Sequence, residues 1–265
     1  MSGVFGIIDP GRRVEAEPLV NKMAASMSHR DWFVADTWVD RERNLALGRI
    51  GIGIFNKSPQ PIWNASHTIA LMMAGEIYKV DGQEVQPGQS HEQTALALYE
   101  KLGDDFARKL NGAFVIAIWD ATRNRVLVAN DRFGFYTLFY TCHAGRLIFA
   151  PEIKGILCDH TFSKNLDRTA LAQYMRFQHL LGERTFFEDI HILPNASTLI
   201  YDLGAATCQV TPYWTFKDIP YRPNVKFDEA VEEAGRLLRQ AARRFSSDAY
   251  RPGVYLSGGL DSRTI

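Results

Sequence analysis

The chain has 265 residues, with 30 basic and 30 acidic side chains, 46% hydrophobic and 23% charged residues. That balance excludes the strongly basic surface of a typical nucleic-acid binder, and the apolar fraction is that of a globular domain rather than a disordered chain. The longest apolar run, Ala113–Trp119, falls far short of the roughly 20 residues that cross a membrane as a helix.

Three cysteines, Cys142, Cys158 and Cys208, stand far apart without a Cys-x-x-Cys pair. They give neither a disulfide framework nor zinc-ligand spacing, so a reducing compartment, the cytoplasm, is expected. The apolar opening has no basic leader and does not read as a signal peptide.

Val4–Ile8 reads as a buried strand. Leu19, Met23 and Met27 follow Pro18 at helical spacing, with the proline in a first turn. Trp32–Val39, Leu45–Ile50 and Thr68–Met73 are short and apolar, with β-branched or aromatic members, and predict strands. A helix is predicted from Ser90 to Leu102, with Ser90 as N-cap and Gln93 three residues on. Four strands follow at Ala113–Trp119, Arg125–Asn130, Leu138–Cys142 and Leu147–Ala150, then helices at Glu152–Leu157 and Asp167–Phe177 and a strand at Ser197–Tyr201. Runs of strands flanked by helices predict stacked sheets covered by helices.

Pro212, Pro220 and Pro223 break regular structure between residues 211 and 225, which marks a linker. Residues 1–210 form the first expected domain and 226–265 the start of a second. There Phe227, Val231, Ala234 and Leu238 share one face of a helix. An apolar strand through Val254-Tyr255-Leu256 then leads into Ser257-Gly258-Gly259-Leu260-Asp261-Ser262. Paired glycines let backbone N–H groups face an anion, the hydroxyls of Ser257 and Ser262 add donors, and a following helix start favours negative charge. The string in that context predicts a phosphate-binding loop, against the plainer reading of a βα turn.

That loop resembles the pyrophosphate loop of the ATP-pyrophosphatase-type ligases, in its asparagine synthetase form. The amino-terminal segments agree: Met1-Ser2-Gly3-Val4-Phe5-Gly6 resembles the opening of class II glutamine amidotransferases. Leu47-Gly48-Arg49-Ile50-Gly51, Gln60-Pro61, Gly75-Glu76-Ile77-Tyr78, Leu110-Asn111-Gly112-Ala113-Phe114, Asp131-Arg132-Phe133-Gly134 and Ala150-Pro151-Glu152-Ile153-Lys154 continue the likeness in order. The resemblance implies an α+β class: a four-layer αββα sandwich of the N-terminal-nucleophile (Ntn) hydrolase type, followed by a truncated α/β pyrophosphate-loop domain. It implies a terminal nucleophile exposed by loss of Met1, a pair of oxyanion donors, an arginine for the glutamine carboxylate and an aspartate for its ammonium. It also implies ATP and magnesium as cofactors of a complete synthetase domain, with Ser257, Gly258, Gly259, Asp261 and Ser262 at the phosphates.

Three positions depart from that pattern. Ser2 stands where relatives carry cysteine, and a hydroxyl ionises far less readily than a thiol. Ala74 replaces the oxyanion asparagine, and losing one such donor typically costs about 10²–10³ in rate. His91, within Ser90-His91-Glu92, takes the place of the ammonium-binding aspartate. Arg49, Gly75 and Glu76 remain as substrate-binding candidates, with His91 beside them. Plain structural roles compete for each: Ser2 as a small residue at a strand start, Arg49 in an ion pair, His91 as a helix-start residue, Asp131 and Arg132 paired within the fold.

The expected function is the front part of an ATP-dependent amide-forming ligase that adenylates a carboxylate and accepts ammonia or another amine, with an inactive glutaminase site. The alternatives are a non-catalytic domain serving a separate synthetase chain, and a serine-nucleophile amidohydrolase. Expected partners are a glutamine-like or other carboxylate, a second chain carrying the remaining sheet, and a second copy of this chain. Neither a nucleic acid nor a membrane is expected.

Overall fold

The computed structural model describes residues 2–86, 88–246 and 253–264. In chain order its elements are β1 (Gly3–Ile8), α1 (Ala16–Met27), β2 (Val34–Asp40), β3 (Leu45–Gly51), β4 (Ile62–Trp63), β5 (Ile69–Val80), β6 (Gln83–Glu84) and α2 (His91–Leu102). Then come α3 (Phe106–Lys109), β7 (Leu110–Asp120), β8 (Arg125–Asn130), β9 (Phe139–His143), β10 (Arg146–Ala150), α4 (Ile153–Ile156) and α5 (Arg168–Phe177). The last are β11 (His191–Ile192), β12 (Ser197–Asp202), β13 (Thr207–Pro212), α6 (Phe227–Phe245) and α7 (Leu260–Thr264).

Alternation along the strands builds two sheets. One runs β11-β9-β10-β1-β3-β2, the other β13-β12-β8-β7-β5-β4, with β6 on β5. All six residues of β1 are buried, between β3 and β10. Val4 and Ile8 face the second sheet and join Leu47, Met72, Val115 and Val128 in the interior between the sheets. Phe5 and Ile7 face the other way, onto Met23 and Met27 of α1 and Ile156 of α4. The second sheet does the same with Leu71, Met73 and Ile116, which pack against Leu96 and Tyr99 of α2 and Phe106 of α3. The result is the four-layer αββα arrangement, which no single strand could form without a partner for each face.

Small features fix the details. Gly48 lies opposite Phe5 in register, and a Cβ there would stand 2.3 Å from the phenylalanine ring, so only glycine leaves room for that ring. Burying Phe5 fully contributes roughly 1.5–3 kcal/mol. Ser90 caps α2 by accepting from the Gln93 N–H at 3.2 Å, and Asp167 caps α5 from Thr169 and Ala170, each cap contributing about 1 kcal/mol.

Several expectations are corrected. β13 pairs with β12 past residue 210, so the sheet extends into the stretch read as linker. The chain divides into two compact units, residues 1–216 and 217–265. Val254, Tyr255 and Leu256 form no strand and are exposed, Tyr255 by 96%. A parallel strand buried on both faces needs neighbours on both edges, and the described residues of this unit offer none. In α6 the apolar face is present, with Phe227, Val231 and Leu238 exposed.

Cys142 on β9 and Cys208 on β13 are joined as a disulfide, which leaves Cys158 as the free, buried thiol. Sequence spacing could not show this pair, because β9 and β13 belong to different sheets and meet only through the sandwich topology. The reducing-compartment expectation rested on the absence of a pair and loses that basis. Among the described residues no helix is long and apolar enough to cross a membrane. Thiol titration in denaturant without reductant should therefore find one reactive cysteine per chain, rising to three after reduction. On the loop-entropy account, closing so long a loop contributes up to about 4 kcal/mol, so a reductant should lower the melting temperature. Three reactive thiols before reduction would contradict the bond.

Candidate functional site

Ser2 immediately precedes β1, and the pairing of Gly3 with Ile50 and Val4 with Arg49 brings it beside the end of β3. Ser2 and Arg49 line a cleft with Ala74 and Gly75 of β5, Asn56 and Tyr136. Ser2 Oγ and Arg49 Nη1 both lie 3.8 Å from the point a Cβ on Gly51 would occupy. Met1 lies outside the described residues. The cleft encloses about 10 Å3, room for about one water molecule.

Gly75 has φ +110°, and a Cβ there would sit 2.1 Å from the Ala113 carbonyl and 2.8 Å from Tyr136 Cε2, so no other residue fits. Its backbone is bracketed by Asn56, whose Oδ1 accepts from the Gly75 N–H at 2.8 Å and whose Nδ2 donates to the Gly75 carbonyl at 3.0 Å. The same Nδ2 donates to Glu92 Oε1 at 2.8 Å. Glu92 is 4% exposed and also accepts from Ser90 Oγ at 2.7 Å. One turn of strand away, Gln60 accepts from the Met73 N–H and donates to its carbonyl. Ala74 is 3% exposed and belongs to the interior between the sheets. Thus Ala74 offers no side-chain donor, and the neighbouring Gly75 N–H is already satisfied.

Arg49 is also engaged. Its Nε donates to Asp36 Oδ2 at 2.9 Å, Nη2 contacts the same oxygen, and Nη1 donates to the Asn56 carbonyl at 2.7 Å. Of the two readings open for Arg49, the ion pair is the one this geometry contains, with Asp36 directly across in β2.

Glu76 and His91 are not among the residues lining this cleft. Burial pushes the Glu76 carboxyl above its ordinary value. His91 Nδ1 accepts from the Ile77 N–H at 3.3 Å. Burial lowers the pKa of His91 from its ordinary 6.5, opposed by the charge of Glu92. It is therefore a neutral acceptor tying α2 to β5. Asp131 does not pair with Arg132, as adjacent side chains diverge. Asp131 is fully buried and accepts from the backbone N–H groups of Phe114, Phe133 and Phe135, while Arg132 donates to the Arg108 carbonyl and lies over the Trp214 ring.

The carboxy-terminal loop is described within its own unit. Ser257 and Ser262 hydroxyls lie 2.8 Å apart, the Ser257 N–H donates to Ser262 Oγ at 3.1 Å, and the Gly259 N–H donates to Ser257 Oγ at 3.1 Å. Asp261 lies in the first turn of α7 and, with Gly258, is exposed. The Ser257 and Gly259 N–H groups thus point at the loop's own hydroxyls. Among the described residues no group of three or more His, Cys, Asp or Glu is placed to hold a metal ion.

Residues 1–214 match the family model of the glutamine amidotransferase domain. The chain belongs to the glutamine amidotransferase family. Along its whole length it is 28% identical to asparagine synthetase [glutamine-hydrolyzing] 2 of Bacillus subtilis, covering 38% of that protein. It is also 28% identical to a putative asparagine synthetase [glutamine-hydrolyzing] 2 of Methanocaldococcus jannaschii, covering 56% of it. The amidase chyE of Penicillium rubens is 30% identical over 83% of this chain and 34% of its own length. The chain thus spans between about a third and somewhat over half of these relatives. Among solved structures, the glutamine phosphoribosylpyrophosphate amidotransferase of B. subtilis superposes with a TM-score of 0.53 at 14% identity, over 90% of this chain and 58% of that one. That likeness shows the Ntn-hydrolase fold.

As an amidotransferase-family site, this one missed its main organiser at the sequence level. Asn56 carries no motif of its own, Tyr136 reaches the cleft only through the course of its loop, and Asp36 meets Arg49 only through strand register. Two outcomes follow. Gly75→Ala should lower stability by more than about 2 kcal/mol, read as a shifted urea midpoint; an unchanged midpoint contradicts the close approach to Ala113. For His91, whose folded pKa is depressed, the stability is present above 6.5 and is lost as pH falls, because the unfolded chain takes up the proton first. His91→Asn keeps an acceptor for Ile77 and should flatten the acid side of the stability–pH curve; an unaltered slope would mean His91 titrates normally.

Proposed function

We propose that this chain is the amino-terminal part of an ATP-dependent amide-forming ligase of the asparagine synthetase family, and that its own glutamine-cleaving site is disabled. The observation that carries the second half is the Gly75 N–H held by Asn56 Oδ1 at 2.8 Å beside a residue, Ala74, with no polar side chain. An oxyanion needs donors aimed at it before charge develops, and each missing donor is worth orders of magnitude in rate. Here one donor is absent and the other engaged, Ser2 has a weak nucleophile's hydroxyl, and His91 is a neutral acceptor rather than a fixed negative charge. Arg49 already neutralised by Asp36 completes the picture.

The first half of the reading is supported by the match along the whole chain to asparagine synthetases. The residues at hand do not by themselves make an ATP site: the loop donors are self-bonded and residues 253–261 are exposed. On this reading ATP and magnesium belong to a longer product or to a second chain that supplies the rest of the sheet. Within such an assembly the enzyme would take free ammonia or another amine, with the carboxylate held outside this cleft.

Purified chain and its Ser2→Ala variant should release ammonia from glutamine and small amides at the same background rate. A rate that drops with Ser2→Ala would instead establish a serine amidohydrolase. The triple variant Ser2→Cys, Ala74→Asn, His91→Asp should gain glutaminase activity. If it folds but binds no glutamine, the site mapping is wrong. The ligase half is read separately, as carboxylate-dependent exchange between ATP and pyrophosphate by the full gene product or by this chain with a co-encoded partner. Absence of exchange in both leaves the non-catalytic reading.

A further inference from the structure

A second cleft opens where β5 and α3 end and β7 begins, and it encloses about 330 Å3. Its lining includes Lys79, Arg108, Lys109 and Arg132, with Asp81 and Asn111. Four cations face one carboxylate in a chain whose formal net charge is +0, so the concentration is local.

The fold assembles it from separate segments. The β5–β7 register slips between Ile77 and Lys79, and such a bulge re-aims the next side chain; Lys79 comes to lie across from Asn111. Asp81 and Gly82 make the turn into β6, both with positive φ, and the Asp81 N–H donates to the Lys109 carbonyl at 2.8 Å, which draws that hairpin onto the end of α3. Arg132 arrives from beyond β8, donating through Nη2 to the Arg108 carbonyl at 3.2 Å and resting over the Trp214 ring at 5.7 Å.

The cations are poorly neutralised. Lys109 meets Asp81 at 2.9 Å and Lys79 meets Glu84 at 3.8 Å, but both carboxylates are well exposed, at 70% and 60%. Solvated pairs of this kind hold little. Among the described residues, neither guanidinium, Arg108 nor Arg132, has a carboxylate partner, and Arg132 Nε is buried with no hydrogen bond. Like charges converging on a concave surface focus a positive potential, which an anion relieves.

We propose that this cleft binds a small phosphate-bearing anion, clamped by Arg108 and Arg132 with Lys79 and Lys109 as outer charges. Guanidinium forks match phosphate oxygens in pairs, and lysines supply point charges around them. Donors from several directions suit a tetrahedral dianion better than a planar carboxylate, whose two oxygens leave part of the ring unanswered. One enclosed cleft without a basic track leading away does not suit a nucleic-acid strand. The proposal does not rest on the function proposed above.

Inorganic phosphate and pyrophosphate, titrated into the full chain at low salt, should bind saturably by calorimetry and change Trp214 emission, with the emission change lost in Trp214→Phe. Lys79→Ala with Arg108→Ala should weaken binding at least about tenfold, with the circular dichroism unchanged because both side chains lie at the cleft surface. Arg108→Lys should retain part of the affinity. A nucleoside diphosphate binding no tighter than pyrophosphate assigns the site to free phosphates; tighter binding assigns it to nucleotides. No saturable heat up to about 10 mM, or equal affinity in the double variant, would overturn the proposal.

Discussion

The structure depends on β1 being buried on both faces and paired along both edges. Its side chains alternate between two different apolar compartments, Val4 and Ile8 in one and Phe5 and Ile7 in the other. A slip of one residue would exchange these sets and drive Phe5 into the space between the sheets, away from the gap that Gly48 leaves for it. Register at the very start of the chain is therefore set by packing rather than by a turn. The same constraint places Ser2 beside Arg49, so the cleft is a by-product of how the core is filled.

β5 carries the other wall, and its chemistry follows from an edge that β4 covers only at Ala70 and Leu71. Gly75 stays in register with Phe114 of β7, so the N–H and carbonyl it turns to the other edge need partners from outside the sheet. Asn56, itself at φ +53°, supplies both an acceptor and a donor with a single amide, and Glu92 holds that amide from behind. A closed set of this kind is stable because every buried polar atom in it is answered. A donor satisfied by a neutral amide in the resting state must break that bond before it can meet developing charge, which is the physical basis of the inactive site proposed above.

Legibility in the sequence followed from the range of the interaction. β8 runs over Arg125–Asn130 as predicted, β1 and β10 differ from their predicted spans by a residue, and the Ser90 cap is where the Ser90–Gln93 spacing places it. Each of these is marked in the sequence by a short apolar run or a three-residue spacing. The two-residue strands β4, β6 and β11 exist because a neighbouring strand offers hydrogen bonds, so no periodicity announces them. Cys142 with Cys208, Arg49 with Asp36, and Asn56 with Gly75 are decided by topology. Ser2, Arg49, Ala74 and Gly75 of the first cleft were readable through family resemblance, but Asn56 and Tyr136, and the engagement of these residues with each other, were not.

The second unit shows the same rule from the opposite side. Val254-Tyr255-Leu256 has the composition of a buried strand, yet it stays irregular and exposed, because strand formation is cooperative with neighbours and not intrinsic to apolar residues. With no flanking strand among the described residues of this unit, Ser257 and Ser262 close their hydroxyls onto the loop's own N–H groups. Phosphate binding there would have to exchange those local hydrogen bonds for bonds to the ligand, a nearly even trade for neutral donors in water. Preorganisation of the loop, and with it any useful affinity, must then come from strands packed on either side of residues 254–256.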